Sequence, residues 1–391
     1  MEKKRILIVM QWYWPGYKAG GPIQSISNLV SRLGDQYDLY ILTSDTDWGE
    51  KEPYPDIRYG QWNRIGKANV MYLSRKEYSI GKVKEIISRT GIDLLYLQSF
   101  FDFRYTIIPL LICLFKSGKS FPVLVAPRGE FGEGALKQKT LKKKIYILFF
   151  RLFFKRMPGL NFHCSTEEEE SAAKKNLGKD IRTYRALNFN SGSHVQENEL
   201  LHVRNSPVRL VYFGRIDPKK NLDYSLAVLK SVPFGVVFDI YGSAQNLEYY
   251  DSCVKLSEDL PANVSARFMG PLPHDRILST IKDYDIFFFP TKNENFGHTI
   301  HESLLAGVPV LTSDQTPWHK MDSMGAGWEI PLDRPDRFQQ ALQQYDSMDL
   351  SGRIGMHRSA LSYGMEVSDN KQTLQDNAAM FNSLIFPSAN A

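Results

Sequence analysis

Short, unbroken apolar runs alternate along this chain with stretches of helical period. Residues 6–10 form one such run, and DLYILTS, VMYLS, DLLYLQS, VLVAP and LNFHCS contain others. A continuous apolar run suits a strand covered on both faces, as in a parallel sheet. Helix-like segments lie between them, among them IQSISNLVSRL, a stretch ending in IISRTG, and STEEEESAAKKNL. The last opens on a cap candidate, Ser165 or Thr166, followed by acids in the first turn, which accounts for its glutamates structurally. A polar stretch at 189–207, FNSGSHVQENELLHVRNSP, has the composition of a domain linker. The alternation then restarts with VRLVYFG, LDYSLAVLKSV, VVFDIYG, SAQNLEYYDSCVKLSEDL, VSARFMG, ILSTIKDY and DIFFFP. This order predicts two open, doubly wound α/β domains, at 1–190 and 191–370. SDNKQTLQDNAAMFNSLI reads as a terminal helix, and 371–391 is expected to cross back onto the first domain.

A length of 391 residues suits two such domains, each with its own core. The formal charge, 48 minus 43 or +5, is mildly basic and does not call for nucleic acid. Cys113, Cys164 and Cys253 are scattered without metal-ligand spacing and fit a reducing cytosol. The N-terminal MEKKRILIVMQWYWP reads as a first strand and not as a signal peptide, since no small-residue cleavage site follows. No apolar stretch approaches the ~20 residues of a membrane span. The longest candidate, YTIIPLLICLF, reads as a buried helix.

The chemistry concentrates in residues 290–313, PTKNENFGHTIHESLLAGVPVLTS. A polar loop turns at Gly297 into a helix expected from His298 to Ala306, with Gly307 and Pro309 stopping it. Glu294 in the loop and Glu302 in the helix are eight positions apart, an E-x7-E spacing. The first helical amides, near His298 and Thr299, lack partners in the helix and make a ready phosphate site. Arg215, Lys219 and Lys220 lie after the first strand of the second domain, where a diphosphate would meet two or three cations. In the first domain Gly20 and Gly21 precede a helix expected to start near Pro22. Gln98, Ser99, Arg128 and Glu130 fall in loops just after strands, the ligand face of such sheets. Asp45 and Asp47 form a D-x-D pair, read as a solvated loop and not as a metal site. Residues 137–156, KQKTLKKKIYILFFRLFFKR, hold eight Lys or Arg and no acid. Leu141, Ile145, Leu148, Phe149 and Leu152 share one helical face, flanked by Lys137, Lys144, Arg151 and Lys155. That pattern suits an anionic membrane surface, whereas Phe150, Phe153 and Phe154 are expected to turn toward the protein.

The segments VYFGRIDPKKNLDYSLAVL and NENFGHTIHESLLAGVPVL, their spacing and the early GG loop together resemble the retaining glycosyltransferases of family four. The resemblance implies the GT-B fold, two Rossmann-like α/β domains facing a central cleft, and a bacterial surface-polysaccharide enzyme of the lipopolysaccharide or capsule type. It implies that Arg215 and Lys220 neutralise the donor diphosphate and Glu294 touches the transferred sugar. It further implies that the backbone of Phe296, Gly297, His298 and Thr299 holds sugar and distal phosphate, and that Glu302 binds the ribose. Gly21 would close over the diphosphate, and Gly242 and Leu272 would border the base. Many relatives carry histidines near the reactive carbon in the first domain. Here those loops read PRGE, with Arg128 and Glu130, and Gln98 or Ser99, which become the candidate acceptor or sugar contacts. The expected partners are a nucleotide sugar, UDP- ahead of GDP-, a glycan or polyprenyl-linked acceptor, and an anionic membrane surface through 137–156. No cofactor, metal or nucleic acid is expected, and the expected location is the cytoplasmic face of the membrane. The competing readings are a soluble transferase with a small acceptor and a non-catalytic sugar-nucleotide-binding component of an assembly complex.

Overall fold

The computed structural model describes residues 2–115, 121–132, 136, 140–155, 157–189, 194–196, 207–244, 246–273, 276–294, 296–368 and 371–386. Most of the expected linker, together with Lys137 and Arg156 of the basic-aromatic segment, lies outside the described residues. The chain divides into two compact units, Met1–Phe189 with Lys371–Ala391, and Asn190–Asn370.

The first unit is built on β1 (Lys4–Val9), β2 (Tyr37–Ser44), β3 (Trp62–Ile65), β4 (Ala68–Leu73), β5 (Leu94–Leu97), β6 (Val123–Val125), β7 (Leu160–Cys164) and β8 (Thr183–Arg185). They form one sheet in the order β3-β4-β2-β1-β5-β6-β7-β8. Only the edge hairpin β3–β4 pairs antiparallel among the described residues. Side chains alternate across the sheet, so Ile6 and Ile8 of β1 enter one core and Leu7 and Val9 the other. Both faces are covered, which is why β1 reads as a continuous apolar run.

Local signals set the helices. Ser79 caps Ile80–Thr90 through Lys82 N, and Gly91 ends it in the left-handed region. Thr166 caps Glu167–Leu177 through Glu169 N, while the Glu169 carboxylate returns to Ser165 N at 2.7 Å. Two expectations about the loops after β1 and β2 need correction. The first helix starts at Gly21 itself, with Gly20 as its N-cap, so Gly21 lies inside the first turn and not ahead of it. Asp45 and Asp47 are buried and not solvated. The Asp47 carboxylate accepts the amides of Tyr17 (3.0 Å), Lys18 (3.3 Å) and Trp48 (2.7 Å), which pins the loop leading to Gly20.

The basic-aromatic segment is helical over Thr140–Phe153. Phe150 and Phe154 are buried, but Phe153 is exposed, against expectation, and packs at a tilt against Phe149, ring centres 4.6 Å apart. Leu141, Ile145, Leu148 and Leu152 are all more than half exposed. Lys143 leans over the Phe101 ring at 5.0 Å, and Lys155 pairs with Asp180 at 2.5 Å.

The terminal helix, Lys371–Ile385, packs within the first unit. Asn377 Nδ2 donates to the Leu187 carbonyl (2.8 Å), and Tyr37 Oη donates to Asn382 Oδ1 (2.9 Å). Phe381 is fully buried, edge-on to both Tyr37 and Tyr96 at 5.7 Å.

The second unit orders β9 (Val208–Phe213), β10 (Val236–Tyr241), β11 (Val264–Gly270), β12 (Ile286–Phe289), β13 (Val310–Ser313) and β14 (Gly327–Ile330) as β11-β10-β9-β12-β13-β14, with parallel pairing throughout. Two long helices follow, Pro335–Asp346 and Leu350–Ser368.

Removing the Phe381 ring leaves a cavity between the terminal helix and the sheet. Phe381→Ala should destabilise the first unit by about 3–5 kcal/mol. The check is the urea midpoint of that unit's transition, with the other unit's transition unmoved.

Candidate functional site

In the second unit β9 leads on to β10, whereas its other neighbour β12 leads on to β13 in the opposite direction. The loops at their carboxyl ends therefore part, leaving the crevice in which doubly wound sheets bind ligands. Every second-unit residue named as a candidate ligand contact belongs to these loops, to the neighbouring strand ends, or to the helix that follows β12.

The loop after β9 makes a turn at Asp217. Its carbonyl accepts Lys220 N (2.8 Å) and its carboxylate accepts Lys219 N (2.9 Å), with Pro218 fixing the corner. Asn221 then takes a left-handed conformation, φ 63°, and donates from Nδ2 to the Pro290 carbonyl at 2.9 Å. Thr291 Oγ1 (3.1 Å) and Lys292 N (2.9 Å) both donate to the Lys219 carbonyl. The two loops are thereby stitched together, and Lys220 Nζ forms an ion pair with Glu294 Oε1. The two side chains are 14% and 11% exposed, so little water screens them. Thr291 Oγ1 also lies 3.2 Å from Glu294 Oε1, and Lys220 Nζ stands 5.4 Å from the centre of the Phe289 ring. Burial lowers the pKa of the Lys219 ammonium; Glu294 opposes this, and Lys220 and Arg215 add to it. Arg215 is half-buried, and its carbonyl accepts Tyr212 Oη at 2.8 Å.

Gly242 borders this loop for a steric reason. A Cβ there would sit 1.9 Å from the Gly214 carbonyl oxygen, because the ends of β9 and β10 continue side by side into an Ile216–Ala244 bridge. Gly242 N donates to the Gly270 carbonyl at 2.9 Å, and Leu272, two residues on, is half-buried against the core.

After β12 the loop reaches Gly297, whose φ of 82° and ψ of 61° favour glycine. The helix His298–Leu305 starts there without a side-chain cap. Its positive end stands in the loop that carries Glu294. Trp318 Nε1 donates to the Phe296 carbonyl at 2.5 Å, and the indole stacks on His301 at 5.6 Å. His298 and Thr299 are half-buried, and Glu302, one turn in, is buried. The sequence singled out the cations and acids that these loops carry but not Asn221, Thr291 and Trp318, which hold the loops in place. Only the left-handed tendency of Asn221 was open to inspection.

The first-unit residues form a separate arrangement. Gln98 follows β5, and Arg128 follows β6 with a φ of 53°. Arg128 Nε donates to Gln98 Oε1 (3.0 Å), as does Nη2; Nη1 donates to Asn188 Oδ1 and Nη2 also to Tyr96 Oη (3.3 Å). Tyr96 Oη meets His163 Nδ1 at 2.5 Å, and His163 Nε2 meets the Ala186 carbonyl at 2.7 Å. Burial, then the charge of Arg128, lowers the His163 pKa to about 4 and keeps it neutral. Glu130 turns to the backbone, accepting Phe100 N (2.6 Å), Phe101 N (3.2 Å) and Ser99 Oγ (2.8 Å). Burial raises its pKa to about 7 against the pull of those bonds. Among the described residues no cluster of three His, Cys, Asp or Glu is disposed to hold a metal.

Residues 198–345, most of them in the second unit, match the family described as glycosyl transferases group 1. The chain is 25% identical, over 72% of its length, to the UDP-N-acetylglucosamine–peptide N-acetylglucosaminyltransferase GtfA subunit of Streptococcus agalactiae, and the match spans 55% of that protein. An uncharacterized 41.2 kDa protein in the cps region of Klebsiella pneumoniae is 23% identical, over 75% of this chain and 78% of its own. The fold is similar to that of sucrose-phosphate synthase from Thermosynechococcus elongatus, with a TM-score of 0.72 at 13% identity over 98% of this chain and 99% of that one. It is also similar to HepE from Anabaena, solved with UDP and glucose, with a TM-score of 0.70 at 14% identity over 97% and 100%. The chain has the GT-B fold, two Rossmann-like α/β domains.

His301 gives the site a pH signature. It is buried against Trp318, and burial lowers its pKa to about 4, from about 6.5 in an unfolded chain. Between these values the unfolded state binds more protons, so stability is lost as pH falls from 6.5 toward 4. The contribution is on the order of 3 kcal/mol at the acid end. His301→Gln should flatten the pH dependence of the second unit's urea midpoint across that window. An unchanged slope would mean that His301 titrates normally.

Proposed function

We propose that this chain is a retaining glycosyltransferase of cell-surface polysaccharide assembly, moving a hexosyl unit from a nucleoside diphosphate sugar to a hydroxyl of a glycan or polyprenyl-linked acceptor. The observation that carries the proposal is the second unit's crevice. There Arg215, Lys219 and Lys220 share the parting of two strand-end loops with Glu294 and an uncapped helix N-terminus. UDP is the favoured nucleotide, in keeping with the UDP in the HepE structure and in the name of the streptococcal relative. The cps-region relative supports a surface-polysaccharide setting.

The chemistry follows from the charges. As the bond from the anomeric carbon to the phosphate oxygen breaks, its electrons pass to the leaving diphosphate. Lys220, drawn from Glu294 by the donor, meets that growing charge together with Arg215 and the first helical amides. The acceptor hydroxyl attacks from the same face, forming the new glycosidic bond with retention, and its proton passes to a donor phosphate oxygen. Glu294 is held by Lys220 and Thr291, which suits a carboxylate that orients sugar hydroxyls. Retaining hydrolases instead use one carboxylate as a nucleophile. Protein cations take the place of a divalent metal, and Asp47 of the D-x-D pair is engaged with backbone amides.

The helix Thr140–Phe153 would bring the enzyme to its lipid-linked acceptor at the inner face of the membrane. Its exposed stripe of Leu141, Ile145, Leu148 and Leu152 is bordered by exposed Lys142, Lys144 and Arg151. Apolar side chains enter the headgroup boundary while the cations meet anionic lipid. No helix among the described residues is long and apolar enough to cross a membrane.

Groups that meet charge developing in the transition state lower the barrier more than they tighten donor binding. Lys220→Ala and Arg215→Ala should each cut turnover by on the order of a hundredfold or more. Glu302→Ala should chiefly raise the donor KM, and Lys219→Ala should be mild. Steady-state kinetics on the folded variants, run also in excess chelator with full rate expected, are the measurement. Near-normal turnover in the Arg215 and Lys220 variants would place the diphosphate elsewhere, and loss of rate with chelator would reinstate a metal.

Vesicle flotation checks the membrane assignment. The protein should float with anionic vesicles, less so at high salt and after Lys142→Glu with Lys144→Glu. Equal flotation with neutral vesicles would remove the electrostatic part of the claim.

A further inference from the structure

Arg128 stands in the first unit, after β6, on the side of the sheet where doubly wound folds take ligands. It is a non-glycine residue held at a φ of 53°, a conformation that persists only where its surroundings fix it, and such residues cluster at binding sites. Those surroundings are the buried side chains of Gln98, Tyr96, Asn188 and His163. Their tautomer follows from the hydrogen bonds. His163 Nε2–H donates to the Ala186 carbonyl, so Nδ1 accepts from the Tyr96 hydroxyl, whose oxygen accepts from Arg128 Nη2. No member of this chain is negative. The nearby carboxylates are engaged elsewhere: Glu130 with Ser99 Oγ and the Phe100 and Phe101 amides, Glu169 with Gly129 N, Ser165 N and Ser165 Oγ. Among the described residues Arg128 has no ion pair.

A guanidinium has five N–H donors, and four hydrogen bonds to neutral acceptors leave one N–H on Nη1. Arg128 is half-buried, so its charge is held in a fixed place at reduced screening. We propose that Arg128 is an oxyanion-binding residue, taking a carboxylate or phosphate group of the acceptor. The acceptor is then an acidic glycan or a phosphate-bearing lipid-linked one. This rests on the glycosyltransferase reading for the word acceptor, but the anion site itself does not.

The test is ligand-observed NMR on the full chain carrying Lys220→Ala, which weakens the cation cluster of the other unit. The probes are methyl phosphate, methyl glucuronide and, as a neutral control, methyl glucoside. One of the two anions should bind at least tenfold more tightly than the glucoside, and whichever is tighter assigns phosphate or carboxylate. Arg128→Gln should abolish the preference. Since that variant also loses the buried network, Asn188→Asp is the sharper probe. It sets a carboxylate against the guanidinium with no change of shape, so the fold is kept while anion affinity falls tenfold or more. Equal binding of anions and glucoside, or anion affinity that survives Asn188→Asp, overturns the proposal. UDP binding, measured separately on the Arg128→Gln chain, should be unchanged. If the native chain binds the anion but not UDP, the glycosyltransferase reading fails and the anion site stands.

Discussion

The carbonyl oxygen of Lys219 takes two hydrogen bonds from the loop after β12, from Thr291 Oγ1 and Lys292 N, and the second unit's site is arranged around that junction. Because β9 and β12 are neighbours in the sheet, two loops about seventy residues apart in the chain emerge side by side. Satisfying their backbone polar groups then fixes their relative position. The Asn221 amide on the Pro290 carbonyl and the Trp318 indole on the Phe296 carbonyl extend the same fastening. Lys220 can meet Glu294 only because this framework sets the distance.

The parts legible in the sequence were those governed by burial on both faces or by one loop's chemistry. The runs at β1, β5 and β12 stood out because every residue of LLYL and IFFF is buried. The edge hairpin was illegible for the opposite reason: β3 is half exposed and includes Asn63 and Arg64, so no apolar run marks it. The helix Leu350–Ser368 was hidden by Gly352, Gly355 and Gly364, which look like breaks. Gly364 is there because a Cβ would come within 2.9 Å of the Leu304 backbone, a requirement that exists only once the two helices pack. The cations and the E-x7-E pair could be read locally, whereas Thr291 and Trp318 matter through contacts that strand order creates. The D-x-D pair misled because exposure was inferred from polarity, yet Asp47 is buried by the amides it accepts.

The two units treat charge at their strand ends differently. In the second, Lys220 and Glu294 neutralise one another, and a ligand must compete with that pair. In the first, Glu130 and Glu169 serve the backbone, and Arg128 is held by neutral groups. Truncating Glu130 would leave the Phe100 and Phe101 amides without that acceptor, so its loss would be felt as loop disorder before any chemical effect.

The terminal helix has a consequence for how the protein is made. Asn377 bonds to the carbonyl of Leu187, a separation of 190 residues, and the whole second unit lies between them in the chain. On a ribosome adding about 5–20 residues per second, the first unit waits roughly ten to forty seconds for its last element. During that interval the surface later covered by Phe381, including Tyr37 and Tyr96, is open to solvent. The second unit, whose residues are contiguous, can complete its fold first. The order of synthesis therefore need not be the order of folding, and the nascent first unit carries apolar surface that only its last helix covers.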